Sequence, residues 1–554
     1  MQYKLTDQWQ STLIISVAFI AALTGVFFFM EQAAGVAFPA FDVMDFLIRV
    51  LPGGIITFGI DMMVDFLLLF TDGDDLDSTA KTAESLMAVF QFIGIGTVLG
   101  LGYGAIANVL RNRGTFLSSE WSTGLIIGAA LGIPVAVISA QYNTSASASP
   151  LISTFWILVA SLIWGLFHNY AQRRLTPPTP AAETPQNDSG VSDAAFKQTE
   201  NNAYILDRRQ FLIQVGAASA AVTVSGASLG ALFGDSETVQ GANVIDEAIL
   251  NTGLEPAPGT RPEYTPLQDH YRIDINSGRF PNVDELEYRL PIDGLVDNPL
   301  SLSLANIRED YDVISENITM SCISNRIAGG LISTTQWTGA PLRDILADAN
   351  LQEDGKFLLI ESFDGFDEVV EIEMIMNDER ILLAYEWDGV PLPGKHGFPL
   401  RVHIPDRYGM KQPKWIEKMT VIDEWQEGYW VRRGWDKDAI VKMTSVIDTV
   451  AVDNVYTDDE GVQRVPIGGI AYSGAKEISA VEVRINDGEW QPAQLRTPLS
   501  DRTWVIWRFD WPFEAGEHTF TVRAFDGEGV EQIAEVADRR PSGATGYHSE
   551  TEDI

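Results

Sequence analysis

A chain of 554 residues is longer than one hydrophobic core can organise, so several domains are expected. Its 76 acidic against 38 basic residues give a formal net charge of -38, which lacks the basic footprint of a nucleic-acid binder and excludes that class of partner. The single cysteine, Cys322, excludes an intrachain disulfide framework. A carboxylate-rich surface in which lysine is scarcer than arginine fits a halophilic source.

Residues 1–170 read as a transmembrane helical region in contact with membrane lipid. Apolar stretches near 12–30, 53–71, 88–110, 122–142 and 152–168, with a sixth at 212–233, approach the roughly 20 residues that cross a bilayer. Arg49, Arg111, Arg113, Arg173, Arg174, Arg208 and Arg209 fall on one side if the N-terminus lies outside, which places residues 235 onward outside the cytoplasm as well. The acidic run Asp72–Asp77 is expected to be a solvated loop rather than a calcium site. The membrane half offers one histidine, His168, so a haem held by two histidines is not expected there.

Residues 171–206 are rich in Pro, Thr, Ala, Asn and Ser and read as a flexible cytoplasmic linker. Residues 207–234 open with Asp207-Arg208-Arg209-Gln210-Phe211-Leu212 and continue as a weak Gly/Ala-rich apolar helix. That pattern is a twin-arginine-like signal or anchor, a route suited to a domain that folds around a cofactor before export.

From about residue 260 the pattern turns to mixed strands and helices, an α+β domain over 260–440. Glu287–Ile292 alternates as a strand, and Ala340–Leu346 reads as a helix opened by Pro341. Residues 445–535 read as a β-sandwich, with Val481–Ile485 and Thr519–Phe525 alternating and Asn486-Asp487-Gly488 making a hairpin turn. The tail 541–554 is acidic and expected to be disordered.

Three ordered blocks carry the chemistry. The first is Thr265-Pro266 through His270-Tyr271-Arg272; the second is Thr319-Met320-Ser321-Cys322-Ile323-Ser324-Asn325-Arg326 with Gly329 through Leu342. The third runs from Leu392-Pro393-Gly394-Lys395-His396-Gly397-Phe398-Pro399-Leu400-Arg401 into Ile404 through Trp415. Together they resemble the sulfite oxidase family of molybdopterin-dependent oxidoreductases over roughly residues 260–535.

The resemblance implies a molybdopterin cofactor whose metal takes one protein thiolate, from Cys322, since only cysteine supplies that soft anionic ligand. It also implies a cofactor-binding set of Tyr271, Arg272, His396, Arg401, Gln412 and Lys414, in which the cations suit a phosphate tail. Arg272 and Arg326 are implied beside the metal and Trp337 as a pocket wall, and these with Cys322 form the catalytic set. Where sulfite oxidases place a second arginine after the asparagine, this chain has Ile327.

The implied activity is a two-electron oxo transfer on a small sulfur oxyanion such as sulfite, with a sulfoxide or other oxo acceptor, reduced at the same site, as the alternative. Electrons then pass to a separate external carrier, a cupredoxin or a cytochrome, because neither extra cysteines nor a haem pair is present. The block Gly468–Gly474 resembles the family's immunoglobulin-like C-terminal domain, which implies a homodimer. A membrane receptor or transporter with a non-catalytic ectodomain is the competing class; it predicts no stoichiometric metal.

Overall fold

The computed structural model describes residues 3–52, 76–112, 120–175, 210–229, 253–276 and 279–554, with a few positions between 54 and 62. The chain divides into two compact units, one built from the N-terminal helices and one containing residues 283–554.

The first unit is helical. Its helices are α1 (Tyr3–Ala34), α2 (Pro39–Val50), α3 (Leu76–Asn112), α4 (Glu120–Tyr142), α5 (Pro150–Arg174) and α6 (Gln210–Leu229). Proline at the first turn starts both α2 and α5, where its missing N–H costs nothing. Five stretches are long and apolar enough to cross a membrane: Trp9–Ala34, Thr82–Ile106, Trp121–Tyr142, Pro150–Arg174 and Gln210–Leu229. Five of the six expected spans are thus helices of the described residues; most of 53–71 lies outside them, as do the acidic run 72–75, the linker 176–209 and Arg208-Arg209.

Small residues let these helices approach closely. A Cβ at Gly100 of α3 would sit 2.4 Å from Ser16 Oγ and 2.7 Å from His168 Nε2. His168 is fully buried, and its Nε2 lies 3.0 Å from Ser16 Oγ. Ser16 already donates to the Thr12 carbonyl, so the imidazole donates to Ser16 and ties α5 to α1.

The second unit has a sheet in the strand order β2-β1-β10-β5-β6: β1 (Leu290–Gly294), β2 (Leu300–Leu302), β5 (Phe357–Ser362), β6 (Asp367–Glu371) and β10 (Ile416–Ile422). Another carries β3 (Ile314–Ser321), β4 (Ile332–Pro341), β7 (Leu382–Trp387) and β8 (Val390–Pro391) in that order, with β9 (Arg401–His403) paired to β7. The short helices α7 (Leu304–Glu309), α8 (Leu342–Asp348) and α9 (Ile372–Asn377) pack on a shared apolar core that includes Leu290, Ile345, Ile360, Leu383 and Val402. Pro341 proves to be the N-cap of α8 rather than its first helical residue.

Two further antiparallel sheets follow. One joins β11 (Thr444–Val450), β12 (Tyr456–Thr457), β13 (Gln463–Tyr472), β16 (Gln494–Leu495) and β17 (Val505–Pro512). The other joins β14 (Ile478–Ile485), β15 (Gln491–Pro492), β18 (Glu517–Asp526) and β19 (His548–Asp553). Ile467, Val483, Trp507, Phe520 and Val522 from the two inner faces share one core, which is the expected sandwich. The hairpin turn at Asn486 adopts the expected left-handed conformation, φ 52°. The disordered tail is corrected: residues 548–553 form β19, paired with β18 from Glu517↔Asp553 to Val522↔His548.

Candidate active site

Strands β3 and β4 are in register down to Ser321↔Ile332, and the chain turns immediately beyond. Cys322 N donates to the Leu331 carbonyl, and Asn325 closes the loop by accepting from Leu331 N at 3.0 Å and donating to the Gly329 carbonyl at 3.3 Å. A side chain at Gly329 would meet Asn325 Oδ1 at 2.4 Å, so this turn requires glycine. Cys322 is left 7% exposed at the strand end, its Sγ 3.0 Å from Ser324 Oγ, within a cluster containing Tyr271, Met320, Trp337 and Trp387.

The third block folds back on itself. Arg401 and Lys414 are bridge partners across their backbones, and Trp415 Nε1 donates to the Gly394 carbonyl at 2.7 Å. Gly397, at φ +122°, holds the turn where a side chain would press on Cβ of both Lys414 and Arg401.

Arg401 is the centre of the pocket. Its guanidinium lies 4.8 Å from the ring centroids of both Trp337 and Trp387. It donates to the His396 carbonyl at 3.1 Å and to Met320 Sδ at 3.2 Å, and no carboxylate pairs with it among the described residues. Burial pulls the guanidinium down to about 9, which leaves it cationic at neutral pH. Lys414 Nζ reaches the Ile273 carbonyl at 3.1 Å and Asp274 Oδ2 at 3.6 Å, and Asp274 also accepts from Arg272 Nε at 2.5 Å. Burial lowers the Lys414 ammonium to about 7, with Asp274 opposing that shift and Arg272 and Arg401 reinforcing it.

Three histidines surround this cation. The His270 ring lies 4.3 Å from that of Trp387 and 5.3 Å from that of His396, while His403 lies 5.2 Å from Trp337. His270 Nδ1 faces the Tyr271 carbonyl at 3.1 Å and must donate to it. His403 Nδ1 faces Gln412 Oε1 at 3.0 Å, and Gln412 spends its amide N–H groups on the Arg407 and Ile404 carbonyls. Both imidazoles therefore leave Nε2 as an acceptor, and burial depresses them to about 3 and about 4; burial also holds His396 well below its usual range.

The expected residues separate on this geometry. Cys322, Tyr271, His396, Arg401 and Lys414 come together, with Arg272 joined to Lys414 through Asp274. Trp337, expected as a substrate wall, is fully buried against Arg401 instead. Gln412, expected to touch the cofactor, has its amide committed to protein carbonyls and His403. Arg326 is exposed on the loop that follows Cys322. Sequence reasoning passed over His270, His403, Trp387 and Asp274. Their signal was present: His270 and Asp274 flank the quoted Tyr271-Arg272 pair, and His403 lies on the same side of β9 as Arg401.

Buried nitrogens without a partner test whether these residues fit a large polar cofactor. His270, His396 and His403 Nε2, Arg401 Nε and both Trp337 and Trp387 Nε1 have no hydrogen-bond partner among the described residues. So many unsatisfied polar atoms in one pocket are costly unless a ligand rich in both donors and acceptors meets them. A pterin with a phosphate tail has that character, and the residues fit it. The fold and site thus define a cysteine-bearing pocket suited to an anionic heterocyclic cofactor.

Comparison with known proteins agrees. Residues 277–430 match the oxidoreductase molybdopterin binding domain. Sulfite oxidase of Gallus gallus is 29% identical over 279 residues, which are 43% of this chain and 61% of that protein. Mitochondrial sulfite oxidase of Macaca fascicularis is 31% identical over 286 residues, 44% of this chain and 52% of that protein. An NADPH nitrate reductase of Fusarium oxysporum is 25% identical over 278 residues, covering 41% and 30%. The crystal structure of the sulfane dehydrogenase SoxCD from Paracoccus pantotrophus aligns at a TM-score of 0.45 and 20% identity, covering 58% of this chain and 95% of that one. The chain spans about half to three-fifths of the sulfite oxidases it matches. Residues 277–430 thus carry a molybdopterin-binding oxidoreductase domain, similar in sequence to sulfite oxidases and to nitrate reductases.

Proposed function

We propose that the protein is a membrane-anchored oxidoreductase that performs two-electron oxo transfer on a small sulfur oxyanion outside the cytoplasm. The observation that carries this reading is that Cys322 and Arg401, a buried arginine with no carboxylate partner among the described residues, share the neighbours Met320, Trp337 and Trp387. Cys322 is the metal ligand in this reading; Arg401, Lys414, His396 and Tyr271 hold the cofactor. When bound, the cofactor supplies the two-electron redox couple.

The chain's own residues do the rest. Arg272, 18% exposed at its side chain, is a partly accessible cation that orients an incoming anion. Trp337 and Trp387, both fully buried, keep water from the floor of the pocket. Electrons leave to a separate carrier, a cupredoxin or cytochrome. The apolar helices anchor the chain as a multi-pass protein in lipid, and the segment from Arg208-Arg209 directs the folded domain across by the twin-arginine route. The C-terminal sandwich, taken as immunoglobulin-like, pairs two copies.

A reductive direction on a sulfoxide or another oxo acceptor is the second reading. Asp274 offsets the charge of Arg272, and Ile327 stands where a second arginine would favour an oxyanion. One experiment decides between them. The full chain, produced with its cofactor-maturation machinery and purified in detergent, is assayed for metal, for sulfite-dependent dye reduction and for sulfoxide-dependent oxidation of reduced dye. About one molybdenum per chain is expected together with the sulfite activity, and Cys322→Ser is expected to abolish that activity. Turnover with sulfoxide alone reverses the direction, and absence of molybdenum sinks both readings in favour of a non-catalytic ectodomain.

A further inference from the structure

Strand β3 has two faces, as the two-residue period of a strand requires. Ile318, Met320 and Cys322 point into the cluster with Tyr271, Trp337 and Trp387. Thr319 and Ser321 point the other way. β3 is also the edge of its sheet, so the outer N–H and C=O groups of alternate residues lack a strand partner there.

Residues of the C-terminal sandwich fill that edge. Ser500 Oγ donates to the Asn317 carbonyl at 2.6 Å. Thr319 N donates to the Arg502 carbonyl at 3.0 Å, and the Thr319 carbonyl accepts from Tyr472 Oη at 2.7 Å. The Thr319 hydroxyl accepts from Trp504 N at 2.9 Å and is hydrogen-bonded to Thr334 on β4. Arg502 adds an ion pair to Glu316 on the same strand. Every polar atom of Thr319, a residue 1% exposed, is therefore satisfied, three of the contacts coming from residues 472–504.

We propose that Thr319 and Tyr472 are positioning residues for Cys322: the C-terminal sandwich grips the back of β3 and so sets where the sulfur sits over the cofactor. The sandwich is then part of the oxidoreductase site and not only a surface for pairing copies. The geometric reason is short range. Cys322 lies three residues past Thr319, on the opposite side of the same strand, and a metal ligand tolerates displacement of only about 0.5 Å. The inference rests on the reading of Cys322 as a metal ligand.

The test uses the full chain with its cofactor, comparing Thr319→Val, Thr319→Ser, Tyr472→Phe and Cys322→Ser. Molybdenum per chain, the paramagnetic resonance spectrum of the half-reduced metal, kcat and KM, and Tm are measured on each. Thr319→Val is expected to keep its metal, show a shifted spectrum and lose about tenfold in kcat with KM little changed, and Thr319→Ser to restore both. Tyr472→Phe removes one hydrogen bond without changing shape and is expected to shift the spectrum in the same direction, which keeps the idea testable if Thr319→Val fails to fold. A wild-type spectrum and kcat in Tyr472→Phe and Thr319→Val, whatever the fall in Tm, would reduce the contact to a structural one. A metal spectrum in Cys322→Ser identical to that of the parent would instead overturn the ligand reading itself.

Discussion

Lys411 Nζ lies 2.7 Å from Glu368 Oε1, and the two side chains are only 6% and 1% exposed. Lys411 also donates to the Val369 carbonyl, while Val369 N donates to the same carboxylate oxygen. The pair fastens the Gly409–Lys411 turn to β6, three residues ahead of Lys414. Burial raises the Glu368 carboxyl despite its lysine partner, so the charge is held at a cost. Lys411→Met leaves that carboxylate alone in the interior and is expected to destabilise the fold by about 3–5 kcal/mol, measured by chemical unfolding. Adding Glu368→Gln to it is expected to recover at least half of the loss. Equal stability of Lys411→Met and the parent would show that water reaches the site.

Stability is expected to fall on acidification well above the carboxylate range. His270 and His403 titrate at about 3 and about 4 in the fold, against about 6.5 for an unfolded histidine. Between these values the unfolded chain binds protons that the folded one refuses. Their contribution is therefore complete above roughly pH 6.5 and is lost as the pH falls toward 4, at about 1.4 kcal/mol per pH unit for each histidine. Urea unfolding at pH 7.5, 6.0 and 5.0 reads the slope directly. His403→Asn is expected to flatten it, and an unchanged slope would mean that His403 is protonated in the fold.

Asp274 joins two cations with different proposed tasks, Arg272 toward substrate and Lys414 toward the cofactor tail. Asp274→Asn keeps the shape and removes the shared charge. The expected result is a KM for an anionic substrate changed several-fold, with a steeper dependence on ionic strength and kcat altered less, because an uncompensated arginine attracts anions more strongly. Steady-state kinetics at two salt concentrations checks it. A change confined to cofactor content would move the role of Asp274 wholly to Lys414.

The parts of this site legible in the sequence were those whose chemistry is local. Cys322 is the one available thiolate, and His396, Arg401 and Lys414 stand in a contiguous block with glycines at the turns that block needs. Trp387 was not legible, because it stands on β7 and meets Arg401 only through the pairing of β9 with β7. The tail misled through composition. Glu550, Glu552 and Asp553 suggested disorder, yet Thr551 and Ser549 hydrogen-bond to Thr519 and Thr521 across β18, and cross-strand pairing overrode local polarity.

Arg401 distinguishes a functional cation from a structural one by the sign of its effect. A buried guanidinium without a carboxylate is expensive to keep, and here it is repaid within the protein only by a carbonyl, a thioether and two indole faces. Arg401→Met removes that charge while preserving much of the volume. Cofactor-free protein is therefore expected to be as stable as the parent or more so, while molybdopterin recovered from the matured protein falls by about tenfold or more. Arg401→Lys is expected to lose cofactor too, since a point charge replaces the planar fork that lies over the rings of Trp337 and Trp387. Pterin content after acid release, set beside the unfolding midpoint of the cofactor-free chain, measures both quantities. A destabilised Arg401→Met that still carries its full complement of cofactor would assign the residue to the fold alone.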